Sequence, residues 1–186
     1  RAHAMRIQTL SYFLGTGALL AFVACGGGGG GKSSKATKLH YTDPNTTGWR
    51  LVVGTGQDSA QLQLKLMPPD GVVAKGASFF LTCDGTRATW GTTTAGTAFD
   101  LGNAPQIFRA KAGDTSADLQ VGLYQKTGTT TLASTQDVAR LTLALASGAK
   151  DGSVALNTTA GKQAVYLDAS GNTQSISIAV GELTAD

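Results

Sequence analysis

The pattern that most constrains this chain is alternation. In Gln61-Leu62-Gln63-Leu64-Lys65-Leu66 every second side chain is leucine and the ones between are polar or charged. A period of two puts one face of an extended strand in a core and the other in water, whereas a helix would scatter these leucines around its axis. Pro68-Pro69-Asp70-Gly71 ends the run, because proline supplies no N–H to a ladder and Asp-Gly favours a turn. The same texture recurs along the chain. Trp49-Arg50-Leu51-Val52-Val53 is rich in strand formers, and residues 76–83, continuously apolar at Phe79-Phe80-Leu81, read as a central strand. Asp84-Gly85 turns into a short return at 87–90, and two Thr/Gly-rich stretches, 91–97 and 127–131, read as loops. Ile107-Phe108-Arg109-Ala110-Lys111 and Leu119-Gln120-Val121-Gly122-Leu123-Tyr124 form two further strands joined near Gly113-Asp114. In the last third, Val138, Leu141, Leu143 and Leu145 lead to Val154 and Leu156, then to Ala164-Val165-Tyr166-Leu167. After Ser170-Gly171-Asn172, Ile176-Ser177-Ile178-Ala179-Val180 reads as the closing strand. Strands at a spacing of about 8–12 residues, with no window of helical periodicity, predict an all-β two-sheet sandwich.

The N-terminal part is built differently. Met5-Arg6 is a short basic start, residues 7–23 are largely apolar, and Val23-Ala24-Cys25 is followed at once by six glycines. That is the layout of a secretory signal. Its end resembles the lipobox of bacterial lipoproteins, with Phe22 where that pattern usually carries Leu. The resemblance implies that Cys25 is lipidated and becomes the first residue of the mature protein. Gly26 in place of Asp is similar to an outer-membrane sorting address, which points to the envelope of a Gram-negative bacterium. The expected organisation is therefore a signal peptide at 1–24, with 1–4 upstream of the true start, a lipidated tether at 25–38 and one domain at 39–186. A Gly/Ser/Lys coil of about thirteen residues spans roughly 20 Å, enough to hold a domain clear of head groups. No later stretch approaches the ~20 apolar residues of a membrane span.

Charge excludes one class of partner. The formal net charge of +3 falls to about +1 once Arg1 and Arg6 leave with the signal peptide. Lys32, Lys35 and Lys38 are spaced along the tether with no aromatic residue between them, so they read as solvated charges and not as a nucleic-acid site. Gly26, Gly31, Lys32 and Ser33 satisfy the spacing of a phosphate loop, but no strand precedes and no helix follows, so nucleotide binding is not expected. With Cys25 acylated, Cys83 has no partner within the chain; it is either packed in its strand, the favoured reading, or free for an intermolecular bond.

Catalytic chemistry is thin. His40 is the only histidine left after signal removal and reads as a linker residue beside the tether, so no Ser-His-Asp or Cys-His set is available. Asp43-Pro44-Asn45-Thr46-Thr47-Gly48 opens like a calcium loop, yet position twelve is Gly54, where a bidentate Glu is needed. We therefore expect no enzyme, no cofactor and no metal. Three rings are candidates for stacking on sugar: Trp49 and Trp90, each flanking a strand, and Tyr166, which alternates with Val165 and Leu167 and is expected to be exposed. Core packing is the competing and favoured reading for the two tryptophans.

A family resemblance gathers these segments. Val138-Ala139-Arg140-Leu141-Thr142-Leu143-Ala144-Leu145, Gly148-Ala149-Lys150-Asp151-Gly152-Ser153-Val154-Ala155-Leu156 and Ala164-Val165-Tyr166-Leu167-Asp168-Ala169-Ser170-Gly171-Asn172, closing on Val180-Gly181-Glu182-Leu183, resemble the C-terminal half of cohesin-type domains. Gly76-Ala77-Ser78-Phe79-Phe80-Leu81 followed by Asp84 is similar to an earlier segment of that family. The resemblance implies a jelly-roll sandwich of about nine strands, of the kind shared with some carbohydrate-binding modules. It also implies a protein-binding or scaffolding role, with a dockerin-like or other envelope partner, held at the outer membrane as an accessory to a secretion or surface apparatus. A surface carbohydrate-binding module that takes polysaccharide is the alternative.

Overall fold

A computed structural model describes residues 34–99, 106–113 and 116–186. Among the described residues there is no helix, and fourteen strands follow in order. They are β1 (Leu39–Thr42), β2 (Arg50–Thr55), β3 (Gln61–Met67), β4 (Val73–Cys83), β5 (Ala88–Ala95), β6 (Gln106–Ala112) and β7 (Asp118–Gln125). The rest are β8 (Thr130–Thr131), β9 (Ala139–Leu145), β10 (Gly152–Val154), β11 (Leu156–Thr158), β12 (Val165–Asp168), β13 (Thr173–Ser175) and β14 (Glu182–Ala185). The count exceeds the expected nine because the ladder is cut into short pieces: β8 has two residues, and β10, β11 and β13 have three each.

Two layers enclose one core. The first runs β13-β12-β4-β7-β6, with β8 and β11 pairing to the two ends of the long β4. The second runs β2-β3-β9-β5, and a small sheet β1-β14-β10 pairs the first described strand with the last. The alternating leucines do what their spacing requires: Leu62, Leu64 and Leu66 are fully buried and lie opposite Leu143, Leu141 and Ala139 of β9. From the other layer β4 contributes Ala77, Phe79, Leu81 and Cys83, and β7 contributes Leu119, Val121 and Leu123. At roughly 1.5–3 kcal/mol for each large apolar side chain, this shared interior is the main favourable contribution to the fold.

The structure differs from the sequence expectations in five places. Residues 36–38, expected to belong to the tether, are part of the fold: Ala36 is buried and donates its N–H to Ala149 O, while Thr37 and Lys38 donate theirs to Asp186 O. A chain whose backbone finds sheet partners is held, whatever its composition. His40 accordingly sits within β1, with Nδ1 3.0 Å from Asp58 Oδ1, and is not a linker residue. The Thr-rich stretch after Trp90 is not a loop but the second half of β5, paired with β9 across a register shift, since threonine is a strand former when a partner is present. The second Thr-rich stretch likewise ends in the two-residue strand β8. The closing strand is Glu182–Ala185 and not 176–180; the earlier segment crosses between layers, Ile176 N–H bonding Ala164 O and Ala179 pairing with Trp49 and Leu51.

Aromatic side chains tie the layers together. Trp49, just before β2, stacks on Tyr166 of β12 with ring centroids 6.2 Å apart and planes at 23°. Tyr41 of β1 is buried; its hydroxyl donates to Leu51 O at 3.2 Å and accepts from Gly181 N–H at 2.7 Å. Burial pushes that phenol up to about 12.

Candidate functional site

The outward face of the first layer carries the candidate site. In β4 the inward residues alternate with Ser78 and Phe80, and in β7 with Gln120, Gly122 and Tyr124. Ladder pairing sets these side by side: Gly76 opposite Tyr124, Ser78 opposite Gly122, Phe80 opposite Gln120. On the far side of β4, Val165 pairs with Ser78 and Leu167 with Gly76. On the far side of β7, Lys111 pairs with Gln120. Three small residues, Gly76, Ser78 and Gly122, are thereby grouped, and bulkier Tyr124, Val165 and Leu167 rise around them. The result is an open groove of about 930 Å³ whose lining also reaches Thr93 of β5.

The two glycines play different roles. A Cβ on Gly76 would stand 2.4 Å from Leu123 O, so glycine there permits the close approach of β4 and β7. A Cβ on Gly122 would meet nothing nearer than Ser78 Oγ at 4.0 Å, so glycine there is what leaves the groove empty.

The groups whose titration is displaced lie away from this groove. Burial raises the Asp137 carboxyl, but hydrogen bonds from Arg140 and Thr97 outweigh it and hold the carboxyl below its usual range. Hydrogen bonds from Ser134 lower Asp70, and those from Thr86 lower Asp84. Asp168 is lowered by Gln174 and by the N–H groups of Asn172 and Ser170, so the Asp-Ala-Ser-Gly-Asn segment is a turn closed by its own carboxylate, with Gly171 at φ +84°. Burial pushes the Cys83 thiol up to about 12, and its Sγ contacts Ala88 O at 3.2 Å, which agrees with a packed strand residue. These carboxylates hold turns and loops together. The groove itself offers shape, apolar walls and hydrogen-bonding side chains.

The three candidate stacking rings do not form an exposed row, and the two tryptophans take the core positions favoured for them. Trp49 and Trp90 are buried at 7% and 4% exposure, and the Trp90 indole N–H donates to Ala117 O at 2.9 Å. Tyr166 pairs with inward-facing Ala77 and packs on the core, whereas Val165 and Leu167 face out. Alternation correctly separates Tyr166 from its neighbours, but the register on β4 reverses the side. Cys25 and the phosphate-loop pattern lie outside the described residues. Among the described residues no three His, Cys, Asp or Glu side chains gather as metal ligands. What sequence reading missed is Gly122; a glycine inside an otherwise good strand was the available signal.

This arrangement of layers is a jelly-roll β-sandwich of the cohesin type. It is similar to a type II cohesin domain from the cellulosome of Acetivibrio cellulolyticus, with 14% identity, TM-score 0.55, and coverage of 74% of this chain and 94% of that one. It is likewise similar to the sixth cohesin of scaffoldin B from the same organism, solved in complex with a Cel5 dockerin, at 18% identity and TM-score 0.52 over 73% of this chain and 97% of that one. Type II cohesin A11 from Bacteroides cellulosolvens gives 12% identity and TM-score 0.53 over 73% and 97%. No family model matches the chain, and no curated protein sequence matches it.

Proposed function

We propose that this protein is a non-catalytic docking module that binds another protein, dockerin-like or of the cell envelope, on the groove face of the first layer. It is held at the bacterial outer membrane by a lipid on Cys25 and serves a secretion or surface apparatus. The observation that carries the docking part is the groove itself. It is an open apolar hollow, created by an absent side chain at Gly122 and walled by Tyr124, Val165 and Leu167, in a fold whose neighbours include a cohesin solved with its dockerin. The anchoring part rests on the Val23-Ala24-Cys25 sequence. Two measurements test the proposal. The full chain and its Gly122→Val variant are used to recover partners from an envelope extract; the variant fills the groove without touching the core, and a partner retained equally by both refutes the docking face. Radiolabelled fatty acid should mark the protein but not a Cys25→Ser variant, and equal labelling of both, or none of either, refutes the anchor.

A further inference from the structure

The groove does not end at its apolar walls. Its lining shares Lys111 and Gln120 with a second hollow of about 260 Å³ that continues along the same face. That hollow is made by Phe80, Lys111, Asp118, Thr159 and Lys162, with the Lys162 ammonium 5.2 Å from the centre of the Phe80 ring. The Phe80 ring face is thus already covered by a cation, which removes it as a platform for a sugar ring and fixes a positive charge in its place. Lys111 comes from β6 and Lys162 from the turn after β11, where Lys162 N–H bonds Thr159 O. Among the described residues neither lysine is in an ion pair, and Asp118 is the only carboxylate in the hollow. The face is therefore bipartite, apolar at Tyr124, Val165 and Leu167 and cationic at Lys111 and Lys162.

We infer that the occupant of this face is a protein segment carrying an apolar anchor for the groove and an acidic side chain that lies between Lys111 and Lys162. The inference rests on the docking proposal and specifies its partner. Spacing follows from the ladder. From Gly76 to Phe80 along β4 is four residues, or about 13 Å. An extended partner would place its acid about four residues from the anchor, and a helical one about nine residues away. Among the described residues the hollow holds two lysines outside any ion pair against the single carboxylate of Asp118, a net positive charge that favours acidic partners by long-range attraction and disfavours basic ones.

The test uses a phage-displayed library of random peptides selected on the immobilised full chain. Supporting results are selected sequences with Asp or Glu at one of those two spacings from an apolar residue. Their binding should weaken about tenfold on Lys111→Glu with Lys162→Glu, weaken less on the milder alanine pair, and fall with added salt. Rescue of the Glu variants by peptides with the acid changed to Lys would add support. Peptides that lose binding on Gly122→Val but ignore both lysine pairs overturn the charge inference and leave the docking face standing. Peptides indifferent to Gly122→Val as well overturn both. Retention of polygalacturonate by the chain, abolished by the lysine variants and with no peptide selected, overturns a protein occupant in favour of an acidic glycan.

Discussion

Replacing Trp49 by alanine separates a structural ring from a ligand platform. Trp49 is 7% exposed and stacks on Tyr166 at 6.2 Å, joining the strand layer of β2 to that of β12. A tryptophan buries about 200 Å², which at ~25 cal/mol per Å² is about 5 kcal/mol of transfer free energy. The denatured chain already hides part of that surface, so we expect a loss of about 3–5 kcal/mol, in line with aromatic-to-alanine changes in cores. For a domain of this size that lowers Tm by about 10 °C. Tyr166→Ala should also destabilise, and a double-mutant cycle of the two should return a coupling of about 1 kcal/mol, the extra value of an offset stack. Urea unfolding followed by circular dichroism gives all four free energies. A cost below about 1 kcal/mol for Trp49→Ala, with unchanged cooperativity, would refute the reasoning. The ring would then be at the surface and sugar stacking would return as a reading.

Three further outcomes are expected. The Asp137 carboxyl is held low by Arg140 and Thr97, so its stabilisation is present above the unfolded carboxylate range near 4 and is lost as pH falls through the lower folded value; unfolding midpoints of the wild type should drop between pH 5 and 2 more steeply than those of Asp137→Asn. Burial raises the Cys83 thiol to about 12, so a thiol reagent at pH 8 should leave it unmodified in the folded protein and modify it fully in urea; rapid reaction of the native state would show an open strand edge. Gly76→Ala should cost about 1–3 kcal/mol because its Cβ meets the β7 backbone, whereas Gly122→Ala should stay within about 0.5 kcal/mol; equal costs would mean the groove has been placed at the wrong glycine.

The chain's own pattern determined its strand content. Leu62, Leu64 and Leu66 read as a half-buried strand because alternation is a property of a single strand and needs no partner to be seen. Phe79-Phe80-Leu81 read as central for a different local reason, an unbroken apolar run that suits a strand covered on both faces, and β4 is bonded on both sides. The break at Ser170-Gly171-Asn172 was legible because it is local, the Asp168 carboxylate closing on N–H groups two and four residues further on. Tertiary structure decided what depends on partners far along the chain. It made the threonines of β5 a strand by giving them β9, drew Ala36 and Lys38 into the fold through Ala149 and Asp186, and turned Tyr166 inward by pairing it with Ala77. Above all it assembled the groove. Gly122, Ser78 and Leu167 are scattered over some ninety residues of sequence and become neighbours only through the registers of β7 and β12 on β4. A one-residue slip in either would send those side chains to the opposite face. Local alternation specifies that a strand has two faces; the long-range ladder alone chooses which face looks outward and what lies beside it.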